Sequence, residues 1–250
     1  LRSRGLGDVY KRQQNILELA ELKKEGKLGK LLVTGCLSQR YQDELMEELP
    51  EVDGMLGTGS YTDVAAAVEE LMAGEKAEHF GNIHRTFEDG ERLVTTPPYT
   101  AYLKIAEGCS NGCAFCIIPK LRGRYRSRSM EALLAEARQL ADSGVKELIV
   151  IAQDITRYGM DLEEPTSLAG LLKELCKLDF HWIRLHYLYP EVITDELIDT
   201  IAREKKIVHY LDIPIQHCND GILKAMRRRN TRAELEDLFD RLRRAIPYLV

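Results

Sequence analysis

The chain has 250 residues and a net charge of −5, and 44% of its residues are hydrophobic and 30% charged. This composition is typical of a globular protein with one large or two ordinary domains, and it gives no argument for nucleic acid as a direct substrate. No apolar run reaches the roughly 20 residues of a membrane-spanning helix and no signal peptide is visible, so no membrane partner is expected. The six cysteines, three of them clustered, are typical of a reducing compartment, which predicts a cytoplasmic protein.

Residues 1–13 show no amphipathic period, and we interpret them as a cloning or assembly scar. The next segment, residues 14–73, alternates helical patterns with short apolar strands, which predicts a parallel α/β layer. The predicted helices cover 15–25, 39–49 and 61–72, the last capped by Ser60, and the predicted strands cover 31–33 and 55–57. Cys36 directly follows the first strand, where α/β folds place ligands, although a single cysteine there is more often a buried small hydrophobe.

Residues 74–98 are polar, lack a period and contain the pair Pro97–Pro98. They predict a linker between two domains, with a short hairpin near residues 88–90.

The region 99–250 opens with an alternating strand at 101–106 that leads directly into Cys109, Cys113 and Cys116, spaced C-x3-C-x2-C. Three thiols on one loop cannot all pair with each other, and they suit a soft metal centre. Three sulfurs leave one site of a four-iron cluster open for a substrate or cofactor. The alternative is a zinc site, which needs a fourth Cys or His, and no histidine lies between His84 and His181.

Strand and helix patterns then alternate to the end of the chain, which predicts a (β/α) barrel with its sites at the carboxyl ends of the strands. Further strands are predicted at 147–151, 182–189 and 208–215, with a fifth beginning at 248, and helices at 129–141, 167–177, 194–203 and 231–244. The strand ends would bring the cysteine loop, Gln153 and Asp154, Tyr189, and Gln216 and His217 to one mouth. Four units do not close a barrel, so we expect an incomplete one, truncated at its C-terminus.

Five segments together resemble the radical S-adenosylmethionine (SAM) enzymes, and among them the methylthiotransferases of the type that modifies a ribosomal protein (RimO type). The matching segments are Leu31–Cys36, Tyr102–Gly123, Glu147–Gly159, Ile183–Pro190 and Tyr210–His217. The sister enzymes that act on tRNA (MiaB type) share the cysteine loop but differ around the second, third and fourth strands.

The resemblance implies the C-terminal part of a Rossmann-like methylthiotransferase N-terminal domain, followed by an incomplete radical SAM barrel. Cys109, Cys113 and Cys116 would hold a 4Fe–4S cluster whose open iron binds SAM, and one electron would then cleave SAM to methionine and a 5′-deoxyadenosyl radical. Cys36 would be one of three ligands of an auxiliary 4Fe–4S cluster, whose other two cysteines would lie upstream of Asn15. We therefore expect a fragment that lacks both ends of the enzyme.

The implied reaction is methylthiolation of an aspartate Cβ on a small-subunit ribosomal protein near the decoding centre, which gives 3-methylthioaspartate. One SAM would donate a methyl group to the sulfur, and a second would give the radical that abstracts hydrogen. The alternatives are a tRNA adenosine methylthiotransferase, and a non-catalytic fragment that binds an iron–sulfur cluster or zinc. The sulfur donor and the electron donor are not indicated by the sequence.

Six further residues are predicted to contact the cofactor. The resemblance places Phe115 against the adenine side of the SAM site. Four polar residues are predicted contacts because they lie at the carboxyl ends of predicted strands, and one arginine is predicted from a basic stripe beside the cysteine loop. These five are Gln153, Asp154, Gln216, His217 and Arg128, the last belonging to the stripe Arg122, Arg124, Arg126 and Arg128.

Two other groups of residues are interpreted as structural. Cys176 and Cys218 are predicted to be packing residues. The run of Arg227, Arg228, Arg229 and Arg232 is predicted to be a solvated helix end, because no base-stacking aromatic residues lie between its members.

Overall fold

The computed structural model describes residues 2–85 and 93–250, and of residues 2–10 the backbone alone. The predicted hairpin near residues 88–90 lies outside the described residues. Contacts divide the chain into two compact units. The first unit comprises the residues up to Arg85 and the segment Ile117–Gly123. The second unit comprises the residues that follow Arg85 as far as Cys116, and the segment Arg124–Val250. Within the described ranges, every helix is too short or too polar to cross a lipid bilayer.

The described α-helices and β-strands are numbered in chain order. The helices are α1 (Arg2–Lys24), α2 (Cys36–Glu48), α3 (Val64–Met72), α4 (Ile118–Arg122), α5 (Met130–Asp142), α6 (Leu168–Leu175), α7 (Asp195–Arg203), α8 (Asp220–Ala225) and α9 (Arg232–Ala245). The strands are β1 (Leu32–Thr34), β2 (Gly54–Leu56), β3 (Ala77–His79), β4 (Thr100–Lys104), β5 (Ala106–Glu107), β6 (Arg126–Ser127), β7 (Glu147–Ile151), β8 (Trp182–Leu185) and β9 (Ile207–Leu211).

The N-terminal unit is built on a three-stranded parallel sheet in the order β1-β2-β3. Successive strand residues point to opposite faces, so each face needs its own cover. Val33 and Met55 pack with Ile16 of α1 and Leu45 of α2 in one buried cluster. A second cluster joins the other strand face to α3, and its buried members are Leu56, Ala67, Leu71 and Ala77. The predicted parallel α/β layer is therefore confirmed, with helices on both faces.

Three local predictions in this unit differ from the structure. Helix α1 begins at Arg2 and not near residue 15, because an established helix extends at little cost where no proline stops it. Strand β3 lies inside the predicted linker, since three residues with one buried side chain, Ala77, give no periodic signal. Ser60 does not cap α3 and instead accepts a hydrogen bond from Gly81 N. Whether residues 1–13 are foreign to the protein stays a prediction.

The second unit contains a four-stranded parallel sheet in the order β4-β7-β8-β9. Chain order and sheet order coincide, as they do in a (β/α) barrel. The register places Leu103 beside Val150 and Val150 beside Leu185, and all three side chains are fully buried. At the β9 edge, Leu211 N donates to Val250 O at 2.9 Å and Val250 N donates to His209 O at 3.0 Å. The chain thus starts to add a fifth strand, as the sequence predicts.

Helix starts in this unit are set by side-chain caps. The hydroxyls of Ser129, Ser167 and Thr194 accept hydrogen bonds from the first turns of α5, α6 and α7. Thr231 and Glu234 form a capping box at the start of α9, where the sequence predicts a helix.

The predicted third strand is too long by four residues, and helices α4 and α8 are absent from the sequence-based assignment. Strand β8 ends at Leu185, and Tyr187 adopts a left-handed φ of 66°, which an extended strand cannot accommodate. The two missed helices have five and six residues, too few for a helical period to show.

Candidate metal centre

The cysteine loop runs between β5 and α4. Cys109 and Cys113 are buried and Cys116 is exposed. Gly108 and Gly112 have φ values of 77° and 69°, so both positions need the left-handed backbone that glycine adopts without strain. The two glycines therefore allow the loop to turn at these positions.

The thiols of the loop influence each other electrostatically. Burial raises the pKa of the Cys109 thiol, and negative charge on Asp154, Cys116 and Cys113 raises it further. A cation bound among these sulfurs would reverse this balance, because metal coordination deprotonates a thiol. Metal binding would therefore offset the raised pKa of Cys109.

Asn111, between the first two cysteines, is tied to the carboxyl end of β7. Its Nδ2 donates to Asp154 Oδ2 at 2.9 Å, and its Oδ1 accepts from Arg157 Nε at 2.9 Å. Asp154 is fully buried and also accepts from Thr156 N at 3.0 Å. Two of the predicted groups therefore meet at one mouth. The carboxylate of Asp154 faces the loop, which supports a positioning role for it more than the predicted contact with the cofactor.

Tyr189 and Arg228 converge on Cys113. The hydroxyl of Tyr189 lies 3.6 Å from Cys113 Sγ, and Arg228 Nη1 lies 3.9 Å from the same sulfur. The guanidinium stacks on the Tyr189 ring, with Cζ 4.2 Å from the ring centroid. Arg228 is only 6% exposed, so the prediction of a solvated helix end is wrong for this residue. Its burial depends on tertiary packing, which a run of charged residues does not reveal.

Gln153 also lies at the end of β7, half-buried, and its Oε1 is buried without a hydrogen-bond partner among the described residues. Such an atom carries a desolvation cost until a donor reaches it. Gln153 thus remains a candidate to contact a bound cofactor.

The other predicted cofactor contacts are less clearly placed. Phe115 is 41% exposed. Gln216 is exposed with a left-handed φ of 67°, and the Nδ1 of His217 accepts from Asn219 N at 2.9 Å. In the part of the chain that the structure describes, no hydrogen bond or ion pair joins these three side chains to the cysteines, and their roles stay predictions.

Arg128 has protein partners of its own. Its Nη1 lies 2.6 Å from Glu136 Oε2 and donates to Lys104 O at 3.1 Å. These contacts tie the start of α5 to β4, and they do not support the predicted contact of Arg128 with the cofactor.

Cys36 begins α2 in the N-terminal unit, where Arg122 Nε donates to its Sγ at 3.2 Å. A cavity of about 480 Å³ lies beside this thiol, with Arg12 and Arg40 in its wall. The N-terminal unit holds no other cysteine. Cys36 alone therefore does not fit an auxiliary cluster, which needs further ligands.

Cys176 is buried, and burial raises its pKa to about 12, which agrees with the predicted packing role. Cys218 is exposed, so the prediction that it packs in the core is wrong. It lies on the segment between β9 and α8.

The donor set of the cysteine loop fits a four-iron cluster. Each thiolate of such a cluster binds a different iron, so its ligands surround the cluster and do not converge on one point. In residues 2–85 and 93–250, no three His, Cys, Asp or Glu side chains are arranged around a single metal ion. Three thiols on one loop, two of them shielded from water, can hold three irons and leave the fourth free.

Comparison with known proteins identifies the family. Residues 103–250 match the radical SAM superfamily. The chain belongs to this superfamily. The match begins within β4 and covers the cysteine loop and the four-stranded sheet.

The chain is also similar to ribosomal protein uS12 methylthiotransferases named RimO. It is 50% identical over 237 residues to that of Thermoanaerobacter sp. (strain X514), covering 94% of this chain and 54% of the relative. It is 52% identical over 235 residues to that of Geobacter sulfurreducens, covering 93% and 53%. The predicted resemblance to methylthiotransferases is confirmed. The chain spans about half the length of the curated relatives it matches.

Two solved structures share the fold. The radical SAM methyltransferase TsrM from Kitasatospora setae has a TM-score of 0.65 at 13% identity, covering 91% of this chain and 50% of TsrM. The cobalamin-dependent SAM radical enzyme OxsB has a TM-score of 0.59 at 14% identity, covering 93% and 37%. At these identities the likeness concerns the fold alone.

Proposed function

We propose that this chain carries the radical SAM site of a methylthiotransferase that acts on ribosomal protein uS12. The product would be 3-methylthioaspartate, formed at Cβ of an aspartate. The observation that carries the proposal is the three-thiol loop at the carboxyl end of a parallel sheet, in a chain half identical to uS12 methylthiotransferases.

We assign the cluster ligands residue by residue. Cys109, Cys113 and Cys116 would hold a 4Fe–4S cluster, and the iron without a protein ligand would be available to SAM. When bound, the cluster supplies the electron that cleaves SAM to methionine and a 5′-deoxyadenosyl radical. The chain's own contribution is to exclude water from two of the three sulfurs and to hold the loop in place.

The loop is held from two sides. Asn111 anchors it to Asp154, a fully buried carboxylate, and Tyr189 contacts Cys113 from the end of the next strand. Gln153, with its buried and unpartnered carbonyl oxygen, is our first candidate for a contact with SAM. Phe115, Gln216 and His217 are proposed as further contacts.

We propose the same domain limits that the sequence indicates. Residues 14–73 would be part of the methylthiotransferase N-terminal domain, 74–98 a linker and 99–250 the radical SAM domain. Cys36, at the start of α2, is proposed as a ligand of an auxiliary cluster whose other ligands are not among the cysteines of this chain.

The first experiment measures iron and sulfide per chain after anaerobic reconstitution. We expect about four irons in the wild type and a loss in Cys113→Ala, because a four-iron cluster needs all three thiolates. Cys176→Ala is the control, since Cys176 is a buried member of the hydrophobic core and is not one of the three loop cysteines. Zinc or no metal in the wild type would refute the radical SAM site.

The second experiment supplies SAM, a reductant and a sulfide source to the reconstituted chain, together with uS12 or an intact tRNA. Formation of 5′-deoxyadenosine shows SAM cleavage, and the mass of the acceptor shows whether hydrogen has been replaced by a methylthio group. Modification of uS12 supports the proposal. Modification of tRNA instead would reassign the substrate, and the absence of 5′-deoxyadenosine would make this chain non-catalytic by itself.

A further inference from the structure

Arg228 is a buried cation directed at the sulfur of a proposed cluster ligand. Its side chain is 1% exposed, with Nη1 3.9 Å from Cys113 Sγ and Nη2 donating to Pro214 O at 3.1 Å. A buried charge is costly unless it is paired and hydrogen-bonded. The position of this guanidinium therefore needs an explanation.

The positive charge of Arg228 is only partly compensated by the acidic groups near it. Glu191 Oε1 lies 3.5 Å from Arg228 Nε, and among the described residues that Nε makes no hydrogen bond. A neutral Cys113 thiol adds no charge. A thiolate bound to iron would supply a second anionic partner on the side of Nη1.

Tyr189 contributes a second donor to the same sulfur. Its hydroxyl is 3.6 Å from Cys113 Sγ, and the guanidinium carbon of Arg228 lies over its ring. A metal-bound thiolate has no proton to give, so in that pair Tyr189 is the donor.

The backbone fixes Arg228 against the cysteine loop. Ala114 N donates to Met226 O at 3.0 Å, which joins the residue after Cys113 to the end of α8. Arg227 then adopts a left-handed φ of 56°, which is unfavourable for a residue other than glycine. Backbone strain of this kind persists where the surrounding structure requires it.

We propose that Arg228 and Tyr189 are positioning residues that hold the Cys113 sulfur and raise the reduction potential of the iron–sulfur cluster bound there. The reduced cluster carries one more negative charge than the oxidised one. A buried cation and a hydroxyl donor at the sulfur stabilise that extra charge, and charge and hydrogen bonds at the sulfurs are known determinants of the potential. The inference rests on the proposed function, because it requires the cluster.

The test is a redox titration of the reconstituted chain, followed by the spectrum of the reduced cluster, with iron per chain measured on every sample. Arg228→Met removes the positive charge, and Arg228→Lys keeps the charge but lacks the planar guanidinium. Tyr189→Phe removes the hydroxyl that contacts Cys113. Arg229→Met is the control, because Arg229 is the exposed neighbour and its charge is screened by water.

At a fixed potential we expect the ratio of reduced to oxidised cluster to fall about tenfold in Arg228→Met, which is a downward shift of about 59 mV for one electron. Arg228→Lys and Tyr189→Phe should shift the potential downward by less, and Arg229→Met should match the wild type. Wild-type potentials in Arg228→Lys and Tyr189→Phe, at wild-type iron content, would overturn the inference even if Arg228→Met failed to bind iron. A wild-type chain that binds no cluster would instead refute the proposed function.

Discussion

Asn111 donates a 2.9 Å hydrogen bond to the fully buried carboxylate of Asp154, and this bond joins the middle of the cysteine loop to the end of β7. The same carboxylate pairs with Arg157, whose Nε is 3.3 Å away. One acidic side chain therefore holds both the loop and a neighbouring cation.

We expect Asp154→Ala to lower the free energy of unfolding by about 3 kcal/mol, because it leaves the amide of Asn111 without its acceptor and the partly buried Arg157 without its ion-pair partner. Iron per chain after reconstitution should fall as well. Asp179→Ala is the comparison, since its pair with Lys146 is exposed and is worth less than about 1 kcal/mol. Equal losses of stability in the two variants would contradict the anchoring role, as would full iron content in Asp154→Ala.

Cys36→Ala should leave iron per chain unchanged. Cys36 is the one cysteine of its unit, and a single thiolate cannot retain a four-iron cluster against solvent. The measurement is iron and sulfide per chain, with Cys113→Ala as the variant that must lose iron. A value near eight irons in the wild type, reduced by half in Cys36→Ala, would show that other side chains complete a second cluster.

Cys176 should make the free energy of unfolding fall as pH rises from 9 to 12. Burial raises its pKa from an ordinary 9.0 to about 12, so in this window the unfolded thiol releases its proton while the folded thiol keeps it. The contribution is complete below pH 9 and is lost as pH rises toward 12, with a slope of at most about 1.4 kcal/mol per pH unit. Cys176→Ala removes this dependence, and denaturant unfolding of both proteins across the window gives the difference. Parallel curves would show that the thiol is accessible to water.

Thiol alkylation should follow exposure at neutral pH before any metal is added. Cys116 and Cys218 are exposed and should react first, while the buried Cys109, Cys113 and Cys176 should react slowly. Mass spectrometry of the labelled peptides over time gives the order. Early labelling of Cys109 would show that the loop opens in the metal-free protein.

Thr231→Ala should cost about 1 kcal/mol of unfolding free energy, because it removes the capping box that starts α9. Thr95→Ala is the control, as an exposed threonine outside any helix, and should change stability by less than about 0.5 kcal/mol. The measurement is the free energy of unfolding in urea of the two variants and the wild type. A Thr231→Ala variant as stable as Thr95→Ala would mean that tertiary packing of α9 makes the cap unnecessary.

The parts of the fold that the sequence predicts well are set by local chemistry. The strand Glu147–Ile151 is found where predicted, and the helices predicted from positions 129, 194 and 231 begin at capping hydroxyls there. Apolar runs and capping hydroxyls act within a few residues, so the sequence alone reveals them. The spacing of the three cysteines is also a local feature, because all three lie on one loop.

The parts that escape sequence reasoning depend on contacts between distant residues. Arg228 reaches Cys113 across 115 positions, and Arg122 reaches Cys36 across 86. Nothing in a run of four arginines distinguishes the buried member from its exposed neighbours. Arg227, the residue before Arg228, has a left-handed φ that is set by tertiary contacts. No residue type at this position indicates it in the sequence.

Helix α4 has a consequence for how this protein can be dissected. Contacts assign Ile117–Gly123 to the N-terminal unit, although the chain on either side of it belongs to the other. The two units are thus interleaved along the polypeptide, and no single cut separates them. A truncated chain that starts at residue 99 would keep α4 but remove its partner α2, leaving Leu121 without the neighbours that bury it. Any attempt to isolate the cluster-binding half should therefore retain residues 14–85 or replace the apolar face of α4.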